Sequence, residues 1–140
     1  MRQSLLWCAT VLLVAVAGCG PDPEDNGPQQ TPSAAGTTDL TIVVDEGGGT
    51  QRTWRLTCDP TGGDHPRAEE ACAALDSNGA TALPPVPKDR QCAQVYGGPQ
   101  TATVTGTWRG QQINSTLSRT NSCETARWDA LDGLLPGSGS

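Results

Sequence analysis

The sequence has no phenylalanine and few other aromatic residues: one tyrosine and four tryptophans in 140 residues. Such a small apolar inventory predicts a marginal hydrophobic core that benefits from covalent crosslinks. Histidine is nearly absent as well, since His65 is the only one. A zinc site with several histidines is therefore excluded, and a Ser–His–Asp triad would have to use His65.

The motifs that accompany catalysis or cofactor binding are also missing. No serine lies in a G-x-S-x-G motif, and no two cysteines form a C-x-x-C pair. The glycines at 47–49 lie between two predicted strands and do not precede a helix, which argues against a phosphate-binding loop. We predict that the protein is not an enzyme and binds neither a metal nor a cofactor.

Basic residues are too few for nucleic-acid recognition. The sequence contains nine Lys and Arg residues and fifteen Asp and Glu residues, which gives a net charge of −6. An acidic chain repels phosphate backbones and anionic lipid headgroups alike. We therefore predict no nucleic-acid partner and no electrostatic binding to a membrane.

The N-terminus has the features of an export signal. Arg2 precedes an apolar run over residues 5–17 that is too short to span a bilayer. Val16-Ala17-Gly18-Cys19 fits the lipobox of a bacterial lipoprotein, with residues 1–18 as the signal peptide and Cys19 as the lipidated residue. The alternative is an ordinary signal peptide with Cys19 incidental. The lipoprotein interpretation predicts a location on the extracellular face of the cell membrane.

The rest of the chain divides into three parts by composition. Residues 19–38 are rich in Pro, Gly and polar residues, which is typical of a disordered tether. Residues 39–135 contain the alternating and apolar segments of a folded domain, and residues 136–140 form a loose tail.

Four cysteines remain in the predicted domain: Cys58, Cys72, Cys92 and Cys123. An exported chain with an even number of cysteines is typical of a disulfide-bonded protein. Four cysteines allow three pairings. The sequential pairing would close two separate loops and stabilise the fold by about 3–4 kcal/mol for each loop.

Residue patterns predict an α+β domain with an antiparallel sheet. A helix is predicted from Pro66 to Gly79, with Asp64 as a candidate cap. The end of the chain, residues 126–135, fits either a helix or a last strand. Four strands are predicted over residues 40–45, 52–58, 101–110 and 111–120, with a tight turn at Arg109-Gly110.

Three segments of the predicted domain form an ordered set: LTCDPTGGDHPRAEEACAAL, CAQVYGGPQTATVTGTWRGQQI and TNSC. Together they resemble the subtilisin-inhibitor-like family of secreted serine protease inhibitors, the Streptomyces type. The resemblance covers about residues 40–124. It implies a five-stranded antiparallel sheet with two helices and the sequential disulfides Cys58–Cys72 and Cys92–Cys123. It also implies an extracellular serine protease as partner, and homodimers are common among such proteins.

The resemblance also implies a reactive loop just after Cys92. By residue match, the bond that a protease attacks lies between Gln94 and Val95. Cys92, Ala93, Tyr96 and Gly97 complete the predicted protease-contact loop. Relatives with a large apolar residue at the position of Gln94 suit subtilisin-like enzymes, whereas Lys or Arg there suits trypsin-like enzymes.

Two interpretations of this loop follow. Either the chain is a lipid-anchored serine protease inhibitor, or it is a non-inhibitory cell-surface binding lipoprotein on the same scaffold. Gln94 and the glycines at 97 and 98 favour the second interpretation, because glycine raises the entropy lost when a loop is ordered. A further alternative places Val95 and Tyr96 against the sheet as packing residues.

Overall fold

The computed structural model describes residues 36–137. The predicted signal peptide, Cys19, most of the predicted tether and residues 138–140 lie outside the described residues. Within the described part, no helix has the length and apolar character needed to cross a membrane.

A five-stranded antiparallel sheet forms the centre of the fold, as predicted. The strand order is β3-β2-β1-β4-β5. The outermost strand β3 has two residues, so four long strands supply almost all of the sheet. The strands are β1 (Thr38–Asp45), β2 (Gln51–Cys58), β3 (Gly62–Gly63), β4 (Thr101–Trp108) and β5 (Gln111–Ser118).

Both predicted hairpins are confirmed. β1 pairs with β2 so that Ile42 faces Trp54, and β4 pairs with β5 across the turn at Arg109 and Gly110. These two turn residues have φ values of 48° and 77°. A two-residue turn with positive φ at both positions matches the right-handed twist of the strands that it joins.

The first helix, α1 (Ala68–Ala82), begins and ends later than predicted. Gly79 was predicted to end it, but Gly79 is buried inside the helix, where a Cβ atom would lie 2.7 Å from Trp108. Close packing against this indole, rather than a helix end, accounts for the glycine. The prediction that Asp64 caps α1 is wrong, because its carboxylate accepts a hydrogen bond from the backbone N–H of Arg55.

Of the segment that fitted either a helix or a strand, residues 126–130 are helical and residues 131–135 form turns with an isolated bridge between Asp132 and Leu135. The second helix, α2 (Ser122–Ala130), resolves the ambiguity between helix and strand. Trp128 on this helix is 1% exposed, and its indole N–H donates to the carbonyl of Pro136 at 2.9 Å. The chain after α2 is therefore folded back onto the helix.

Helices and sheet enclose one hydrophobic core, and Trp54 packs at its margin edge-on to His65. His65 is buried, and its Nε2 lies 2.9 Å from the carbonyl of Leu134. The single histidine therefore has a structural position between β2 and the end of the chain. The largest fully buried side chains are Trp128, Leu40, Ile42, Leu56, Leu75, Leu117, Leu131, Leu134, Leu135, Val44 and Val104.

Two disulfides crosslink the fold in the sequential pairing that the resemblance implies. Cys58–Cys72 joins β2 to α1, and Cys92–Cys123 joins the segment before β4 to α2. The α+β class, the five-stranded sheet, the two helices and both disulfides are thus confirmed.

Arg127 connects the helices to the sheet. Its side chain is 9% exposed and donates hydrogen bonds to the carbonyls of Ala82 and Leu83, at the end of α1, and to that of Thr116 on β5. It also pairs with Glu124 at 2.6 Å. A cation is favourable at these last helical carbonyls, which have no partner within the helix.

The outer face of the sheet carries polar side chains. Val43 is the one large aliphatic residue among the side chains that the four long strands direct to this face. Arg55 pairs there with Asp39, and the hydrogen bond from Arg55 lowers the pKa of Asp39 below its usual value. The predicted homodimer stays a prediction, and this face offers it little apolar area. The other outward residues include Thr41, Thr53, Thr103, Thr105, Thr107, Asn114 and Thr116.

Candidate functional site

The predicted reactive loop is a segment without helix or strand that joins α1 to β4 across the start of α2. We call residues 91–100 the loop and residues 94–96 its tip. Val95 and Tyr96 in the tip are 63% and 65% exposed. The interpretation that they pack against the sheet is therefore wrong, because both side chains face solvent.

Cys92 and Ala93 anchor the loop on the side that precedes the tip. Cys92 is bonded to Cys123 on α2. The N–H of Ala93 donates to the hydroxyl of Ser122 at 2.9 Å, and the carbonyl of Ala93 accepts from the N–H of Ser122 at 3.0 Å. One disulfide and two hydrogen bonds thus fix two successive residues.

Asn121 positions Ser122 and Cys123, the two residues of α2 that bind the loop. It is the N-cap of α2, and its side-chain oxygen accepts from the N–H groups of Cys123 and Glu124 at 3.0 and 3.1 Å. Capping fixes where the helix begins, and hence where Ser122 and Cys123 meet the loop. The Asn-Ser-Cys sequence combines a helix cap, a hydrogen-bonding residue and a crosslink.

A second anchor holds the side that follows the tip. The N–H of Gly97 donates to the carbonyl of Arg119 at 2.7 Å. Pro99 lies directly against Gly47 in the β1–β2 turn, so closely that a Cβ atom at Gly47 would be 2.4 Å from the proline ring. The downstream half of the loop is therefore supported by both hairpins.

The tip lies between these two anchors. The N–H of Val95 donates to the carbonyl of Ala93 at 2.8 Å and closes a three-residue turn centred on Gln94. The Gln94 amide nitrogen donates to the carbonyl of Cys92 at 3.3 Å. The tip therefore consists of three exposed residues between two ends that are bonded to the body of the protein.

Every predicted site residue in the described part belongs to this loop or to a disulfide, and the structure brings Cys92 through Gly97 together with Cys123. Sequence reasoning missed Ser122, Arg119 and Gly47, which hold the loop from other elements. A serine in a capping sequence was the one available indication. No group of three or more His, Cys, Asp or Glu residues suited to a metal occurs within residues 36–137.

Gly97 is enclosed by the downstream anchor. A Cβ atom there would lie 2.7 Å from the Thr125 hydroxyl and 3.2 Å from the Arg119 carbonyl. We expect Gly97→Ala to displace the loop and lengthen the bond to Arg119, at a cost of about 1–3 kcal/mol. Hydrogen exchange of the amide at position 97 should become at least about tenfold faster.

Thr125→Ala provides the matched control for this substitution. The Thr125 hydroxyl is buried without a hydrogen-bond partner, so its removal alone should have little effect on the loop. Combined with Gly97→Ala, it should restore part of the slow exchange. Unchanged exchange in the Gly97→Ala protein would show that this packing does not hold the loop.

Comparison with known proteins identifies a matching family and similar individual proteins. Residues 32–121 match the family described as subtilisin inhibitor-like. Subtilisin inhibitor-like protein 1 of Streptomyces cacaoi is 43% identical over 84 residues, which are 57% of this chain and 76% of that protein. Trypsin inhibitor STI2 of Streptomyces longisporus is 31% identical over 134 residues, 88% of this chain and 92% of that protein.

Among solved structures, the chain is similar to Streptomyces caespitosus sermetstatin in its complex with Bacillus licheniformis subtilisin. The TM-score is 0.41 at 21% sequence identity, and the match covers 73% of this chain and 98% of that chain.

Proposed function

Because the chain belongs to the subtilisin inhibitor-like family, we propose that it inhibits an extracellular serine protease by presenting its loop as a slowly cleaved substrate. The observation that carries the proposal is the exposed tip held between two anchors. Membership of a family of protease inhibitors also confirms the prediction that the chain is not an enzyme.

The anchors supply the physical basis of inhibition. A protease binds an extended segment of its substrate, and an ordinary flexible peptide loses conformational entropy when it is held there. Residues 94–96 have already lost much of that entropy, so binding is tighter. If the peptide bond is cut, Cys92 and Gly97 remain fixed on the body of the protein. The new ends stay close together, which favours resealing over release.

The reactive bond in this proposal is Gln94–Val95. The bond lies within the tip, one residue beyond Ala93, which is doubly hydrogen-bonded to Ser122. Cleavage one residue from a fixed position leaves the shortest free end on the upstream side. Gln94 would then face the specificity pocket of the protease, and Val95 and Tyr96 would lie in the cleft beyond it.

The partner class follows from the relatives. Proteins similar to this chain carry the names of subtilisin and trypsin inhibitors, so a subtilisin-like or trypsin-like serine protease is proposed as partner. Gln94 offers neither the charge that suits a trypsin-like pocket nor the large apolar surface that suits a subtilisin-like one.

The proposed location is the extracellular face of the cell membrane, through lipidation of Cys19. The predicted tether, without Thr38, which lies in β1, is rich in Pro, Gly and polar residues. About 20 such residues have a root-mean-square reach of roughly 25 Å. An inhibitor held at this distance from the surface would act on proteases that approach the envelope.

The test is a titration of the full chain, exported into an oxidising compartment so that both disulfides form. It is titrated against a subtilisin, a trypsin-like and a chymotrypsin-like protease, with digestion products identified by mass spectrometry. We expect stoichiometric inhibition of at least one enzyme, with slow cleavage confined to Gln94–Val95. Rapid turnover at that bond, or no effect on any of the three, would favour the non-inhibitory binding lipoprotein.

A further inference from the structure

We infer that the partner protease is recognised chiefly by the two residues after the reactive bond, Val95 and Tyr96, and only weakly by Gln94. The inference rests on the proposed function and specifies its partner. The expected target has apolar subsites beyond the cleavage point.

Exposure is the first observation. Val95 and Tyr96 are the large hydrophobic side chains that are exposed among the described residues, at 63% and 65%. Single exposed apolar residues are common, but these two are adjacent and lie between the two anchors of the loop. A rigid aromatic side chain supplies much contact area at a small cost in conformational entropy.

The position of the anchors is the second observation. Tyr96 directly precedes Gly97, whose N–H bonds to the carbonyl of Arg119 at 2.7 Å. Arg119 is itself buried, so this support belongs to the body of the protein. Val95 has its own N–H fixed by the carbonyl of Ala93. The backbone that carries both apolar side chains is therefore ordered before a protease arrives.

The orientation of Gln94 is the third observation. Its amide nitrogen donates to the carbonyl of Cys92, so the side chain lies back along the loop. Entry into a pocket would break this bond and remove the amide from water. Only a pocket with both a donor and an acceptor for the amide would recover that loss. Burial of the Val95 side chain and of the Tyr96 ring requires no such matching groups when the phenol hydroxyl stays in contact with water.

The experiment compares inhibition constants for the full chain and four variants. It uses whichever of the three proteases the wild-type chain inhibits most strongly. We expect Val95→Ala and Tyr96→Ala each to raise the inhibition constant by about 30-fold, equivalent to about 2 kcal/mol. Gln94→Ala should raise it by less than about threefold. Tyr96→Phe, which keeps the aromatic ring, should remain within about threefold of the wild-type chain.

The outcomes separate the inference from the proposed function. If the wild-type chain inhibits and Gln94→Ala causes a larger loss than Tyr96→Ala, the inference is wrong and the proposed function stands. If the wild-type chain inhibits none of the proteases, both are overturned. Thermal unfolding of each variant serves as the folding control, because these exposed positions should leave the melting temperature unchanged.

Discussion

If the chain inhibits as proposed, replacement of both Cys92 and Cys123 by serine should convert it from a slowly cleaved inhibitor into an ordinary substrate. The crosslink is the covalent part of the upstream anchor and fixes Cys92, two residues before Gln94 of the proposed reactive bond. Without it, a cut end can leave the protease, and resealing is lost. We expect cleavage at Gln94–Val95 to become at least about 100-fold faster, since an anchored end contributes several kcal/mol of entropy.

The other disulfide provides the control. Cys58–Cys72 closes a loop of sequence separation 14 and Cys92–Cys123 one of 31, so their removal should cost comparable stability, about 3–4 kcal/mol each. Both double-serine proteins are assayed below their melting temperatures, with cleavage followed by mass spectrometry. Equally fast cleavage in both would show that general loosening, rather than release of the loop, makes the bond vulnerable.

Arg127→Met should cause the largest loss of stability of any single substitution at a charged residue described here. The guanidinium donates to the carbonyls of Ala82 and Leu83, and the methionine side chain cannot. The substitution also leaves the mostly buried carboxylate of Glu124 without its ion-pair partner. Breaking a buried pair in this way costs about 3–5 kcal/mol. Chemical denaturation would measure this loss as a decrease in the free energy of unfolding, with the same dependence on denaturant concentration in both proteins.

Arg109→Met is the matched control, because Arg109 pairs with Asp76 at 2.9 Å with both side chains more than half exposed. An exposed pair contributes about 0–1 kcal/mol. A second variant, Arg127→Met with Glu124→Gln, should recover part of the loss, since no unpaired carboxylate remains. If Arg127→Met lowered the free energy of unfolding by no more than Arg109→Met, this would contradict the conclusion that Arg127 stabilises the packing of the helices against the sheet.

Much of the loop could be predicted from the sequence, because its residues are contiguous. The resemblance placed the loop directly after Cys92, and residue match placed Gln94 and Val95 within it. The partners of the loop could not be predicted in the same way. Ser122, Arg119 and Gly47 come from three other elements, and no periodicity in the chain relates them to residues 93–99.

The sequence by itself determined the four long strands and the two hairpins, because alternation of apolar and polar residues and a turn at Arg109-Gly110 are local properties. It did not assign the two-residue strand β3. It also determined that four cysteines would crosslink a small core. Tertiary structure alone decided that α1 continues through Gly79, since only the approach of Trp108 shows why a glycine is needed inside a helix. It alone decided that Val95 and Tyr96 face solvent. Apolar residues outside a periodic pattern can be either core or contact surface, and the choice depends on what the rest of the chain places beneath them.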